Sequence, residues 1–140
     1  MAIQLNVATR NARLDTIEST NGTSCSLEIR SGSKPADCST ATAGGSVLAT
    51  INLPSDWMAA ASSGSKAIAN SASWVDVNCD ATGTASFFRV YNSQATKNET
   101  TCFLQGDVGT SGSDMNLSST SITSGQQLSI TSFTLTDGNA

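Results

Sequence analysis

The sequence predicts a mainly β fold: one antiparallel β-sandwich, or a barrel-like variant of it, led by an N-terminal α-helix and carrying one short internal helix. Three observations predict it. Apolar and polar residues alternate with period two in short runs from residue 25 onward, at intervals of roughly 10 to 20 residues, the pattern of sandwiches and barrels. Charged residues make up 13% of the chain, about half the usual quarter, and Ser, Thr and 11 Gly fill the gap with short side chains suited to the outer faces of strands. A length of 140 residues closes a single core. No repeat or linker divides the chain, so it reads as a helical arm over residues 1–22 and a β-domain over 23–140.

Over residues 7–19, Val7, Leu14 and Ile17 recur near helical spacing beside Ala8 and Ala12. Asn6 can cap the start, and Asn21-Gly22 supplies a left-handed stop. Arg10, Arg13, Asp15 and Glu18 occupy the other face. A helix this short is marginal alone in water, so it covers an edge of its own domain or meets a neighbouring subunit. Val7, Arg10, Leu14 and Ile17 are the candidate assembly residues. Residues 25–30 alternate cleanly, with Glu28 and Arg30 on one face, and residues 46–53 place Val47, Ala49, Ile51 and Leu53 together. Leu53-Pro54 ends that strand, because proline cannot donate to a ladder. Residues 55–61 read as the short internal helix, capped by Ser55, with Trp57 as a packing plug at the open end of the sandwich. Residues 62–71 read as a loop. Strands follow over 73–79, 84–91, 101–108 and 127–136, with a short one over 115–117. In the last long strand the apolar parity shifts from Leu128 and Ile130 to Phe133 and Leu135, which places a β-bulge around Thr131-Ser132.

The four cysteines are Cys25, Cys38, Cys79 and Cys102. None forms a C-x-x-C pair, and their gaps do not suit a zinc ribbon. They read as small buried hydrophobes or as disulfides. Four cysteines allow three pairings, and spacing does not choose among them. Strand parity turns Cys25, Cys79 and Cys102 toward a buried face, alongside Leu27 and Ile29, Val75 and Val77, and Leu104 and Val108 respectively. Cys38 sits in a Pro-containing loop.

With no histidine in the chain, Ser-His and Cys-His nucleophiles and histidine metal sites are excluded. A net charge of −4 with 7 scattered Lys and Arg gives no basic stripe for nucleic acid. The N-terminus has neither the basic nor the apolar region of a signal peptide, and no apolar run approaches the roughly 20 residues of a membrane span. The expectation is a soluble protein with no membrane or nucleic-acid partner. Asp76-Val77-Asn78-Cys79-Asp80 copies the opening of a calcium loop, but Ala81 stands where the tight-turn glycine belongs and Phe87 where the bidentate glutamate belongs. No spacing singles out a carboxylate pair, and no phosphate-binding or nucleophile-elbow motif occurs. Trp57, Trp74 and Tyr91 read as core and not as a sugar platform. The expectation is a non-enzymatic chain without metal or cofactor.

Several segments carry a resemblance. Ala2-Ile3-Gln4-Leu5-Asn6, Thr9-Arg10-Asn11-Ala12-Arg13-Leu14-Asp15 and Leu53-Pro54-Ser55-Asp56-Trp57-Met58-Ala59-Ala60-Ala61 resemble a family of small structural proteins of tailed bacteriophages. So do Phe88-Arg89-Val90-Tyr91-Asn92, Thr101-Cys102 and Ser129-Ile130-Thr131-Ser132-Phe133-Thr134-Leu135-Thr136. The similarity runs over most of the chain in register, is weakest in the middle loops, and departs from the family at Phe87-Phe88-Arg89. It implies a virion component that decorates or cements the capsid or builds the neck or collar, with other copies of itself and other virion proteins as partners. The localisation implied is the virion, assembled in the host cytoplasm and extracellular after release. Cysteines oxidised only after release fit that history. Cys38 and Cys102 match the family pattern while Cys25 and Cys79 look like additions, so the resemblance implies Cys38–Cys102 and Cys25–Cys79 pairs. The alternative is a virion-attached adhesin whose loops contact host glycans.

Overall fold

A computed structural model describes residues 3–138. The elements run α1 (Val7–Asn21), β1 (Ser26–Arg30), β2 (Val47–Asn52), β3 (Ser65–Ala67), a 3-10 turn (Ser71–Ser73), β4 (Val75–Asp76), β5 (Gly83–Thr84), β6 (Phe87–Tyr91), β7 (Cys102–Gly109), β8 (Met115–Leu117), β9 (Ser121–Ile122) and β10 (Leu128–Thr136). Eight strands form one sheet in the order β2-β1-β6-β7-β8-β10-β3, with β4 also on β10, and curl into a half-barrel; β5 and β9 pair separately. All ladders are antiparallel except β7–β8. The mainly β single domain with an N-terminal helix is therefore as the sequence predicts, in its barrel-like form.

The concave face collects the apolar residues that period two aligned: Leu27 and Ile29 of β1, Ala49 and Ile51 of β2, Phe88 and Val90 of β6, and Leu128, Ile130 and Phe133 of β10, all buried. The bulge in β10 falls where the parity shift placed it, between Ile130 and Ser132 against β8. A second bulge was not foreseen. Val90 pairs with Leu104 and Tyr91 with Cys102, so Phe103 is an extra residue. It moves Cys102 out of phase with Leu104 and onto the convex face beside Tyr91.

Residues 55–61 are not helical. They run extended along the outer edge of β3, with the Ala59 N–H donating to Ala67 O (2.8 Å) and the Ala69 N–H to Trp57 O (3.1 Å). The chain returns into β3 through Ser63 (φ 53°) and Gly64 (φ 76°), two successive left-handed residues that match the primed turn of a tight hairpin. A neighbouring strand edge offered bonds that one and a half turns of isolated helix could not match. β3 itself lies in the stretch expected to be a loop, and the 3-10 turn at Ser71–Ser73 is the short internal helical element. The strand expected over 73–79 is only Val75–Asp76, and Val77 is 73% exposed.

Both outer edges of the large sheet are covered. The segment just described shields β3. On β2, the Thr50 N–H donates to Asp76 Oδ2 (2.9 Å) and Leu48 O accepts from the Asp80 N–H (2.8 Å). The acidic run that imitates a calcium loop is thus an edge cap, with Asp80 Oδ2 also taking the Thr50 hydroxyl (2.8 Å). Covered edges remove the template for edge-to-edge aggregation.

Candidate assembly surface and thiol pair

Helix α1 lies on the domain mainly through polar side chains. Asn11, Asp15 and Glu18, spaced i, i+4, i+7, share one face and receive the backbone of the segment that precedes β3. Asn11 Oδ1 accepts from the Gly64 N–H (2.8 Å), Asp15 Oδ1 from the Ala61 N–H (2.9 Å), and Glu18 Oε1 from the N–H groups of both Trp57 and Met58 (3.0 Å each). Lys66 of β3, its side chain only 2% exposed, completes the cluster. Its ammonium contacts Asp15 Oδ1 (2.8 Å), Glu18 Oε2 (3.1 Å) and Ala59 O (2.8 Å). At the other end of the helix Arg10 donates to Asp137 O (2.9 Å) and Arg13 pairs with the Asp137 carboxylate (3.3 Å).

The four assembly residues expected from the sequence divide. Leu14 is buried, Ile17 packs against the core, Arg10 is tied to the C-terminal end of β10, and Val7 stays 46% exposed. Asp15 and Glu18, expected on the outer face, turn inward. Asn11 and Lys66 were missed; the signals available were the i, i+4, i+7 spacing and a single lysine in a stretch of Ser and Ala. A groove of about 500 Å³ beside the helix is lined by Asp15, Glu18, Thr23, Asp56, Met58 and Lys66 among others. Trp57, Trp74 and Tyr91 are all fully buried and offer no ring to a sugar. Trp57 donates from Nε1 to Gly22 O (3.2 Å) and meets Phe103 with ring centroids 5.8 Å apart, from an extended segment and not from the short helix expected there.

The hydrogen bond from Lys66 holds Asp15 below the usual carboxylate range, helped by the Ala61 N–H. Burial alone would lower Lys66, but its bonds to Asp15 and Glu18 outweigh that and leave it raised. The stabilisation from a carboxylate whose folded pKa is lowered is complete above the ordinary aspartate value of about 3.9 and is lost as acid titrates it below that value. The denaturation midpoint is therefore expected to fall between pH 5 and pH 2, with a flatter profile for Asp15→Asn. Superimposable profiles for the two proteins would remove Asp15 from the account.

The second cluster lies on the convex face, where the charged residues of β1 were expected to meet solvent. Residues 31–46 fold back over that face instead and bury it. Arg89, 1% exposed, donates from Nη2 to Asp37 O (2.9 Å), Cys38 O (3.0 Å) and Thr40 O (2.8 Å), and from Nε to Gln105 Oε1 (3.1 Å). Glu28 accepts from Arg30 (2.8 Å) and from the Tyr91 hydroxyl (3.0 Å). Burial, with Glu28 adding to it, pushes the Tyr91 phenol well above its usual range. The loop closes through Gly45 (φ 71°), where a Cβ would run into Ser31 O.

This arrangement brings Cys38 beside Cys102, whose thiol is pushed up to about 12, first by burial, against the opposing Arg89 charge, and with a further rise from hydrogen bonding to Cys38. No two sulfurs are at bonding distance. Cys25 and Cys79 do not meet. Cys25 O accepts from Leu53 N–H just past one end of β2, whereas Cys79 precedes the Asp80 that bonds Leu48 O near the other. Five residues of strand, roughly 16 Å, separate those levels, beyond the Cα separation of about 7 Å that a disulfide spans. The pairing implied for these two is therefore not built by this fold. Burial, with Glu18 adding to it, pushes Cys25 to about 11, and burial followed by Asp76 and Asp80 raises Cys79. Both are protonated, unreactive core thiols. Among the described residues no group of three or more His, Cys, Asp or Glu could hold a metal ion.

No protein-family model matches the chain, and comparison with curated proteins and with solved structures gives no match. What the geometry defines is a class of molecule: a mainly β half-barrel with a strapped-on helix and a polar second layer under one long loop.

Proposed function

We propose that the chain is a non-enzymatic structural component of a tailed-phage virion, decorating or cementing the capsid or forming part of the neck or collar. Support comes from the resemblance over most of the sequence and from one observation in particular. The charged groups of its two clusters are committed to internal bonds: Asp15, Glu18 and Lys66 to the helix seat, and Glu28, Arg30 and Arg89 to the covered face. A body whose polar chemistry is spent on rigidity, and whose sheet edges are capped, suits a part that is placed in many copies and must not self-associate beforehand. Small contacts such as exposed Ile3 and Val7 then act through avidity. Quantitative mass spectrometry of purified particles tests this: a fixed stoichiometry to the capsid or connector protein is expected, and absence from particles would refute it. If the free domain instead blocks adsorption to host cells, the adhesin reading replaces it.

The same reading carries a chemical expectation. Protein from mature particles, mapped without reduction, is expected to contain a Cys38–Cys102 peptide and no Cys25–Cys79 peptide. Recovery of both residues 38 and 102 as free thiols from unreduced particles would sink this expectation.

A further inference from the structure

The interface of α1 differs in kind from the rest of the core. Only Leu14 of the helix is fully buried, while five side chains, Arg10, Asn11, Arg13, Asp15 and Glu18, bond to or pair with the domain. The helix has no acidic residue in its first turn and no basic one in its last, so its dipole is unsupported and its own stability is slight. At its C-terminal end the chain turns through Gly22 (φ 79°), a residue free to adopt other backbone conformations. We infer that α1 is a releasable strap, held on the β-domain by the Asp15–Glu18–Lys66 cluster, which lets go as a unit while the half-barrel stays folded.

Charge is what ties it down. The charged groups on the helix are Arg10, Arg13, Asp15 and Glu18. Facing them are Lys66 from β3, Asp56 from the neighbouring extended segment, Asp137 from the end of β10, and the Cys25 thiol just before β1. With Asp15 and Glu18 neutral, the helix retains two arginines and presents no anion to the Lys66 ammonium. Attraction is lost and a buried cation is left without counter-ions, which solvation on release relieves. The half-barrel does not depend on those bonds. The segment under the helix keeps its ladder to the edge of β3 through Ala59 and Ala69, and Trp57 keeps its contact with Phe103. Release uncovers the N–H groups of Trp57, Met58, Ala61 and Gly64 together with Lys66, a donor-rich cationic strip. This is sub-global opening, the low-stability end of a folded domain.

The experiment is amide hydrogen exchange at neutral pH on the full chain and on Asp15→Asn/Glu18→Gln. Exchange of residues 7–21 in the variant is expected to rise at least tenfold, with β1, β2 and β6 unchanged and the Trp57 emission shifted to the red. Should the double variant fail to fold, the single variant Asp15→Asn, which keeps Glu18 on Lys66, supplies the second measurement. Exchange of residues 7–21 is then expected to rise severalfold without change in the strands. Helix amides that exchange only at the rate of the β6 amides in both measurements would overturn the inference. So would a Leu14→Ala protein in which the helix loosens more than in the double variant.

Discussion

Trp57→Ala is expected to lower stability by about 3–5 kcal/mol, the usual scale for a buried aromatic truncated to alanine. For a domain of this size that corresponds to a fall in Tm of roughly 10–17 °C. The side chain is fully buried, and it joins three parts of the molecule that share no ladder. Its Nε1–H reaches the carbonyl of Gly22 at the foot of α1, its ring meets Phe103 in the bulge of β7, and its backbone N–H is held by Glu18. Deleting the indole leaves a cavity at the meeting point of helix, β3 edge and β7, where none of the three can move without losing its own hydrogen bonds. The measurement is a thermal or denaturant melt beside soluble yield. Both should drop together. An unchanged melt accompanied by lost binding to host cells or sugars would instead make Trp57 a ligand contact.

How much of this was legible depended on how local each cause was. The strands of the half-barrel follow from residues two apart, so β1, β2, β6, β7 and β10 are visible as alternation, and a one-residue slip such as that at Thr131-Ser132 is visible as a change of phase. β3 was not visible, because Ser65-Lys66-Ala67 has neither β-branched nor aromatic residues and is a strand only through its pairing with Thr134, Leu135 and Thr136. Residues 55–61 look helical by composition; what makes them extended is Ala67 on one side and Glu18 on the other, contacts set by tertiary structure. Similarly, parity put Glu28 and Arg30 on one face but says nothing about what lies above it. That face is buried because residues 31–46 return across it, and the bulge at Phe103 then carries Cys102 under the same loop. The apolar stripe of α1 does not account for its attachment, which is written in Asn11, Asp15 and Glu18. Polar residues at helical spacing are read by habit as solvent-facing, and here they stand in for the missing partner strand of the segment before β3.

Arg89→Ala is the other change with a large expected effect, about 3–5 kcal/mol, and it acts from the opposite side of the sheet. The guanidinium is almost wholly inaccessible and serves three carbonyls of one loop, at Asp37, Cys38 and Thr40, plus the side chain of Gln105. Removing it leaves Cys38 O, Thr40 O and Gln105 Oε1 without that donor, while Asp37 O keeps the Thr40 N–H (3.3 Å), and an unsatisfied buried acceptor costs about 1–3 kcal/mol. Partial entry of water keeps the total below the simple sum. Lysine is not an adequate substitute, because a point charge cannot spread donors over three carbonyls and a side-chain amide as the planar fork does. The loop should therefore lift locally before the half-barrel melts, and that order can be observed. Cys38, freed with the loop, is expected to react with a thiol reagent at least tenfold faster in Arg89→Ala under native conditions. Cys25 and Cys79, buried in the concave core, should keep their wild-type rates. If the denaturation midpoint falls while all four thiols react in concert, Arg89 supports the whole fold and not the loop. If neither midpoint nor Cys38 reactivity changes, the three carbonyl contacts carry no weight.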